Sequence, residues 1–181
     1  MSRVPDLFPA IPVVEAERVI LRGPKESDFE TVVAFEASDR KAFIGGPVDR
    51  WGAWQGFLAV LGHWALRGYG FWTVEERATG LPVGRIGVIY HHETLWPEPE
   101  LGWHMFEGAE GKGLAHDAAV AARAYAAEAW DMAPLISQIH PDNIRSRKLA
   151  ERMGCVVERE STVLDTPVLI YRHPDPRKER A

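Results

Sequence analysis

The sequence predicts a single mixed α/β domain. Three observations point to it: short β-branched runs bounded by glycine or proline, two segments with apolar residues near helical spacing, and a long alanine-rich segment behind a glycine cluster. In order these read as strand, two helices, three strands, helix, strand, helix and two strands. With 181 residues the chain is long enough to bury a substantial core without metal or disulfide support.

Residues 1–17, with prolines at 5, 9 and 12, read as an extended arm ahead of a domain spanning 18–173, and 174–181 read as a tail. Residues 18–22 form the first strand, stopped by Gly23-Pro24. Ser27 or Asp28 caps a helix to about residue 37, and Asp49 caps a second to about residue 66, carrying Trp51, Trp54, Phe57, Leu58, Leu61 and Trp64. Strands are expected at 69–75 and 82–90 around an Ala78-Thr79-Gly80 turn, and at 100–105. Alanine's high propensity makes 114–130 a helix. A strand at 135–140, a helix at 144–153 ending on Gly154, and strands at 155–160 and 168–173 complete the order.

Composition narrows the function. A net charge of −5 argues against general nucleic-acid binding, and no apolar run approaches the roughly 20 residues of a membrane span. The single cysteine, Cys155, cannot form an intrachain disulfide, and no metal-ligand framework is present; His91-His92-Glu93 reads as a solvated loop. Without the apolar core of a signal peptide at residues 1–6, a cytoplasmic location is the expectation.

The most informative stretch is Gly111-Lys112-Gly113-Leu114-Ala115, between a strand and the alanine-rich helix. Two glycines ahead of a helix N-terminus let several backbone N–H groups converge on an anion, with Lys112 adding charge. A P-loop would need Ser or Thr after the lysine, where Gly113 stands. A dinucleotide fingerprint would follow the first strand and carry a third glycine, where His116 stands.

Residues 100–155 instead resemble the cofactor-binding core of the GNAT acetyltransferase superfamily. Its loop pattern Gln/Arg-x-x-Gly-x-Gly/Ala is matched by Glu110-x-x-Gly113-x-Ala115, with Glu110 departing at the first position. Its Asn-x-x-Ala/Ser through Gly-Phe pattern is matched from Asn143 and Ser146 to Gly154, with Cys155 in the phenylalanine's place. Arg18 to Arg22 followed by Asp28 resembles the branch that acetylates ribosomal-protein N-termini (RimJ/RimL-type). The resemblance implies a GNAT fold: a mostly antiparallel mixed sheet whose fourth and fifth strands splay apart, flanked by helices.

It also implies direct acetyl transfer from acetyl-CoA to an amine, without a metal. The pyrophosphate would lie on the amides of Gly111, Lys112, Gly113, Leu114 and Ala115, and the pantetheine arm on the strand around Trp103, Met105 and Phe106 and on Asn143. Asn143 reads equally as a helix N-cap. The tyrosine that many members place seven residues after this asparagine is Ala150, so either Ser146 protonates the leaving thiolate or no dedicated acid exists. Glu100 is the first candidate for general base and His104 the second. Trp51, Trp54 and Trp64 are candidates for an acceptor pocket or for the core. The expected acceptor is a protein N-terminal amine. A small-molecule amine and a non-catalytic acyl-CoA sensor are the alternatives, and a homodimer is common among related folds.

Overall fold

The computed structural model describes residues 10–90, 96 and 98–178. His91, His92 and Glu93 lie outside the described residues. An eight-stranded sheet runs in the order β1-β2-β3-β4-β5-β6-β8-β7. Strands β1 (Val14–Glu15), β2 (Val19–Arg22), β3 (Phe71–Glu76), β4 (Pro82–Ile89) and β5 (Glu100–Met105) form one antiparallel block. β8 (Thr166–Arg172) lies antiparallel between β6 (Ile136–Ile139) and β7 (Val156–Val163) in the other. The blocks meet through the parallel pair β5–β6, which is in register only at Glu100↔Ile136. Beyond that point the two strands splay apart, as the resemblance implies.

Helices α1 (Phe29–Glu36) and α2 (Arg50–Arg67) cover one face, and α3 (Leu114–Ala129) the other; α4 (Ile144–Arg152) follows β6. Ala118, Ala119, Ala122 and Ala126 are fully buried against the sheet core of Trp72, Ile86, Val88 and Leu101. A helix face of methyl groups lets α3 sit close to the sheet, and Trp130 at its end stacks on Trp72 with centroids 5.3 Å apart. No described helix is long and apolar enough to cross a membrane.

The structure departs from the expectation in four places. Val14–Glu15, read as part of the extended arm, pairs with β2 as an additional edge strand. Asp28 is the N-cap residue of α1, but its side chain does not bond the helix's free amides. Its buried carboxylate accepts two 2.8 Å bonds from Arg22, with Thr73 and the Lys25 N–H as further donors, and so pins the β2–α1 turn to the sheet. The closing strands are longer than expected because Leu164 and Asp165, at φ 47° and 62°, make a two-residue turn. Two positive-φ residues match the twist of a hairpin, but without glycine this turn leaves little mark in sequence. Finally, the apolar residues of α2 exceed one face. Ala53, Phe57, Val60 and Trp64 point inward, while Trp51 and Leu58 are exposed.

A buried hydrogen-bond chain fixes where the blocks separate. The Ser137 hydroxyl donates to the Leu101 carbonyl at 2.6 Å, tying β6 to β5. Its oxygen is then an acceptor for His173 Nε2, 2.9 Å away, which leaves Nδ1 to accept from the Cys155 thiol at 3.2 Å. His173 is held down to about 3, first by burial and then by the charges of Arg123 and Arg172. It therefore stays neutral in the native protein but protonates in the unfolded chain near ~6.5.

A depressed native pKa costs stability as pH falls through the unfolded value. We expect His173 to remove about 1.4 kcal/mol of unfolding free energy per pH unit below ~6.5. Urea titrations between pH 7 and 4.5 should show a slope shallower by about one proton in His173→Asn than in the parent; equal slopes would contradict the neutral imidazole.

Candidate active site

Because β5 and β6 diverge, a single cleft of about 1710 Å³ opens between the two blocks. Strand register determines what β5 offers to it. The Phe106 N–H donates to the Val83 carbonyl at 2.9 Å, so His104, Gly102 and Glu100 likewise direct their backbone groups toward β4. Leu101, Trp103 and Met105 direct theirs toward the opening. The Leu101 carbonyl is taken by Ser137 and the Met105 carbonyl by Arg40 Nε at 3.1 Å. Trp103 therefore presents its backbone to the splay between two engaged neighbours. Phe106 does not: its N–H is engaged on β4, and its ring is buried with Val32, Phe35 and Phe57.

The glycine loop closes one end of the cleft. Gly111 and Gly113 adopt φ of 75° and 76°, and Gly113 is the N-cap of α3. The amides of Leu114, Ala115 and His116 start the helix without intrahelical acceptors, which makes this end attractive to anions. Arg18 holds the loop in place. Its guanidinium donates to both oxygens of Asp117 at 2.6 and 2.7 Å and to the Lys112 carbonyl at 2.8 Å. Lys112 reaches Glu76 at 3.4 Å and remains half-exposed. Glu110, which departs from the loop pattern, pairs with Arg40 and lies 3.5 Å from Arg145. Arg40 and Arg145 thus offset the negative charge that position 110 brings to the loop.

Helix α4 lines the same cleft. Asn143 Oδ1 caps it by accepting from the Ser146 N–H at 3.2 Å, leaving the Nδ2 donors for another partner. The Ser146 oxygen accepts from the Trp103 indole at 3.1 Å, so its hydroxyl proton remains available to donate. The structure thus joins Trp103, Ser146 and Asn143 into one wall.

Glu100 sits where the strands part. Its carboxylate accepts from the Gln138 N–H at 3.1 Å, the Gln138 amide at 3.0 Å and the Trp96 indole at 2.7 Å. A carboxylate offers about four acceptor positions, so one remains. Burial, the largest influence, raises the Glu100 pKa against the pull of those donors. His104 lies four residues along the strand, ~13 Å away at ~3.3 Å per residue, so the two cannot serve one nitrogen. Its ring is stacked between Phe35 and Phe71 at 5.5 and 5.1 Å. Burial, then the charges of Arg85 and Lys41, hold it well below its ordinary pKa.

Trp51, Trp54 and Trp64 do not line the cleft. Trp64 donates to the Phe71 carbonyl within the core, Trp54 packs on Phe29, and Trp51 is 65% exposed. Conversely, Arg40, Trp96 and Gln138 belong to the site without any functional reading in the sequence, and Arg18, which entered only through the family resemblance of its strand, braces the loop. The partners of Arg18 and Gln138 lie 99 and 38 residues away in the chain. Only folding brings them together.

The family model described as an acetyltransferase (GNAT) domain matches residues 18–156. The chain belongs to the GNAT acetyltransferase family. It is similar to an acetyltransferase from Agrobacterium tumefaciens, with 36% identity over 93% of this chain and 98% of that one, at a TM-score of 0.83. A structure described as a putative ribosomal-protein-serine acetyltransferase from Vibrio cholerae shares the fold at 18% identity, over 90% and 98% of the chains, with a TM-score of 0.73. The ribosomal L7/L12 acetyltransferase RimL, solved with coenzyme A, also shares it at 14% identity, over 90% and 97%, again at 0.73.

In this GNAT acetyltransferase, a Cβ on Gly113 would come within 2.6 Å of the Arg18 guanidinium, at a backbone angle that alanine disfavours. Gly113→Ala should therefore lower stability by about 1–2 kcal/mol and weaken coenzyme A binding in calorimetry. Binding equal to the parent would remove the loop from the cofactor site.

Proposed function

We propose that the protein transfers the acetyl group of acetyl-CoA directly to a primary amine, with a protein N-terminus as the acceptor. The observation that carries this reading is the pairing, in one cleft, of a splayed strand edge at Trp103 with an anion-binding helix start at Gly111-Lys112-Gly113-Leu114-Ala115. A pyrophosphate needs the converging amides, and a pantetheine arm, with its two amides, needs a strand edge. Cationic Arg18, Arg40, Lys112 and Arg145 line the same end of the cleft. Acetyl-CoA supplies the activated thioester; the chain supplies binding, orientation and proton transfer.

An arm starting at the loop and running past Met105 and Trp103 points its reactive end toward the base of the splay, where Glu100 lies. The acceptor must lose a proton to react, and Glu100 has one acceptor position left for it. Its raised pKa brings it nearer to an amine's, as a base requires. His104, held neutral between aromatic rings near the far end of the strand, is a weak base farther from that point. Ser146, with a free hydroxyl proton and an oxygen positioned by Trp103, is the donor to the leaving thiolate. The choice of a protein N-terminus draws on the ribosomal-protein acetyltransferases that share the fold.

Thiol release from acetyl-CoA, measured against peptides, polyamines and aminoglycosides, tests the reading. Peptide-dependent release supports it. Coenzyme A binding with no acceptor-dependent release would instead indicate an acyl-CoA sensor. Glu100→Gln should lower kcat by about 10²–10⁴-fold with little change in acetyl-CoA affinity.

The pH profile offers a second check. Glu100 must be ionised to accept a proton, so kcat/KM should fall as pH drops through a pKa above the ordinary glutamate value. His104→Gln should keep that limb and Glu100→Gln should lose it. The opposite assignment would transfer the base role to His104.

A further inference from the structure

Strand alternation divides the cleft into two chemically different halves. Trp103 and Met105 face α3, while Glu100, Gly102 and His104 face α1 and α2. On the loop side, charged groups predominate. The α2 side is different. Gly56, Ala59, Val60 and His63 form one helical face at i, i+3, i+4 and i+7. Opposite them lie Phe71 and Ile89 of the sheet, and Phe35 of α1. Gly102 is what lets the Phe71 ring lie across the floor, since a Cβ there would approach within 3.0 Å of it.

The rim is apolar too. Phe43 and Ile44 are each 39% exposed on one side, and Leu164 is 70% exposed on the other. Large apolar side chains left open around a concave site mark ligand contact. Small residues leave room for it: a Cβ on Gly56 would meet nothing within 4 Å.

We propose that this half of the cleft is an acceptor subsite for a peptide whose first residue carries a large apolar side chain, with its amine at Glu100. The inference rests on the N-terminal acetyltransferase reading above and adds the acceptor's chemistry to it. Apolar walls favour the neutral, nucleophilic form of an amine, and Glu100's remaining acceptor position receives its N–H. Among the described lining residues the carboxylates are Asp39 at the rim, Glu100, Glu110 held by Arg40 and Arg145, and Asp142, which is 81% exposed beside α4.

The test uses peptides differing only in the first residue (Leu, Phe, Met, Ala, Ser, Asp or Lys) at saturating acetyl-CoA, alongside leucine amide and 2-phenylethylamine. Leu, Phe and Met peptides should exceed Ala and Ser in kcat/KM by about tenfold or more. Gly56→Leu, which fills the subsite with a better helix former, should bring the Leu:Ala ratio to near one. Val60→Asn should lower the same ratio, so the result does not hang on one variant. A preference for Ser, Asp or Lys peptides would overturn the apolar subsite and leave the N-terminal reading standing. Transfer to the small apolar amines but to no peptide would overturn the peptide acceptor. No transfer to any acceptor would overturn both.

Discussion

The cleft of this protein depends on β5 and β6 being joined at a single register point. Parallel neighbours normally continue pairing until one strand ends. Here Glu100↔Ile136 is followed at once by the Ser137 hydroxyl on the Leu101 carbonyl, and then by divergence. That side-chain bond satisfies a carbonyl the missing ladder would leave bare, in a place too buried for water. His173 and Cys155 hold Ser137 in turn, so the apex of the splay is fixed by three side chains from three elements. Opening the sheet frees the Trp103 backbone, exposes Glu100 to the cleft and separates a charged half from an apolar half.

Electrostatics reinforces this division. Buried charges away from the cleft are paired tightly: Arg22 with Asp28 and Glu75, and Arg85 with Glu36. These pairs anchor the α1 turn and the helix covering the acceptor side, since an uncompensated charge there would be strongly destabilising. Near the loop the cations are more exposed. Arg18 and Arg40 both bond backbone carbonyls as well as carboxylates, on Lys112 and Met105 respectively. They brace the walls of the cleft while remaining partly exposed. The cationic end is therefore built from residues that also shape it.

Much of this was legible in the chain because it is local. Helix α3 follows from its alanines, and the loop from two glycines whose positive φ the structure requires. Asp49 caps α2 as expected, with its carboxylate accepting from the Gly52 N–H. The Leu164-Asp165 turn leaves little mark because leucine rarely takes a left-handed conformation and a lone aspartate is a weak turn signal. Asp28 occupies the cap position, but its carboxylate turns away from the helix because its dominant partners, Arg22 and Thr73, belong to the sheet. The tryptophans of α2 divided between core and surface according to helix orientation, which apolar content alone does not fix.

The sequence by itself determined the order of elements from β2 onward, the glycine loop and the α4 cap, because each depends on propensities within a few residues. It also carried the family, through two motifs in the right order. Tertiary structure alone decided which backbone groups of β5 are free, because that depends on pairing parity with β4 and on where β6 departs. It likewise decided that Glu100 lies among Gln138 and Trp96 while His104 is enclosed by Phe35 and Phe71. Four residues apart on one strand, the two differ in surroundings supplied by distant segments, and only packing distinguishes a candidate base from a buried ring.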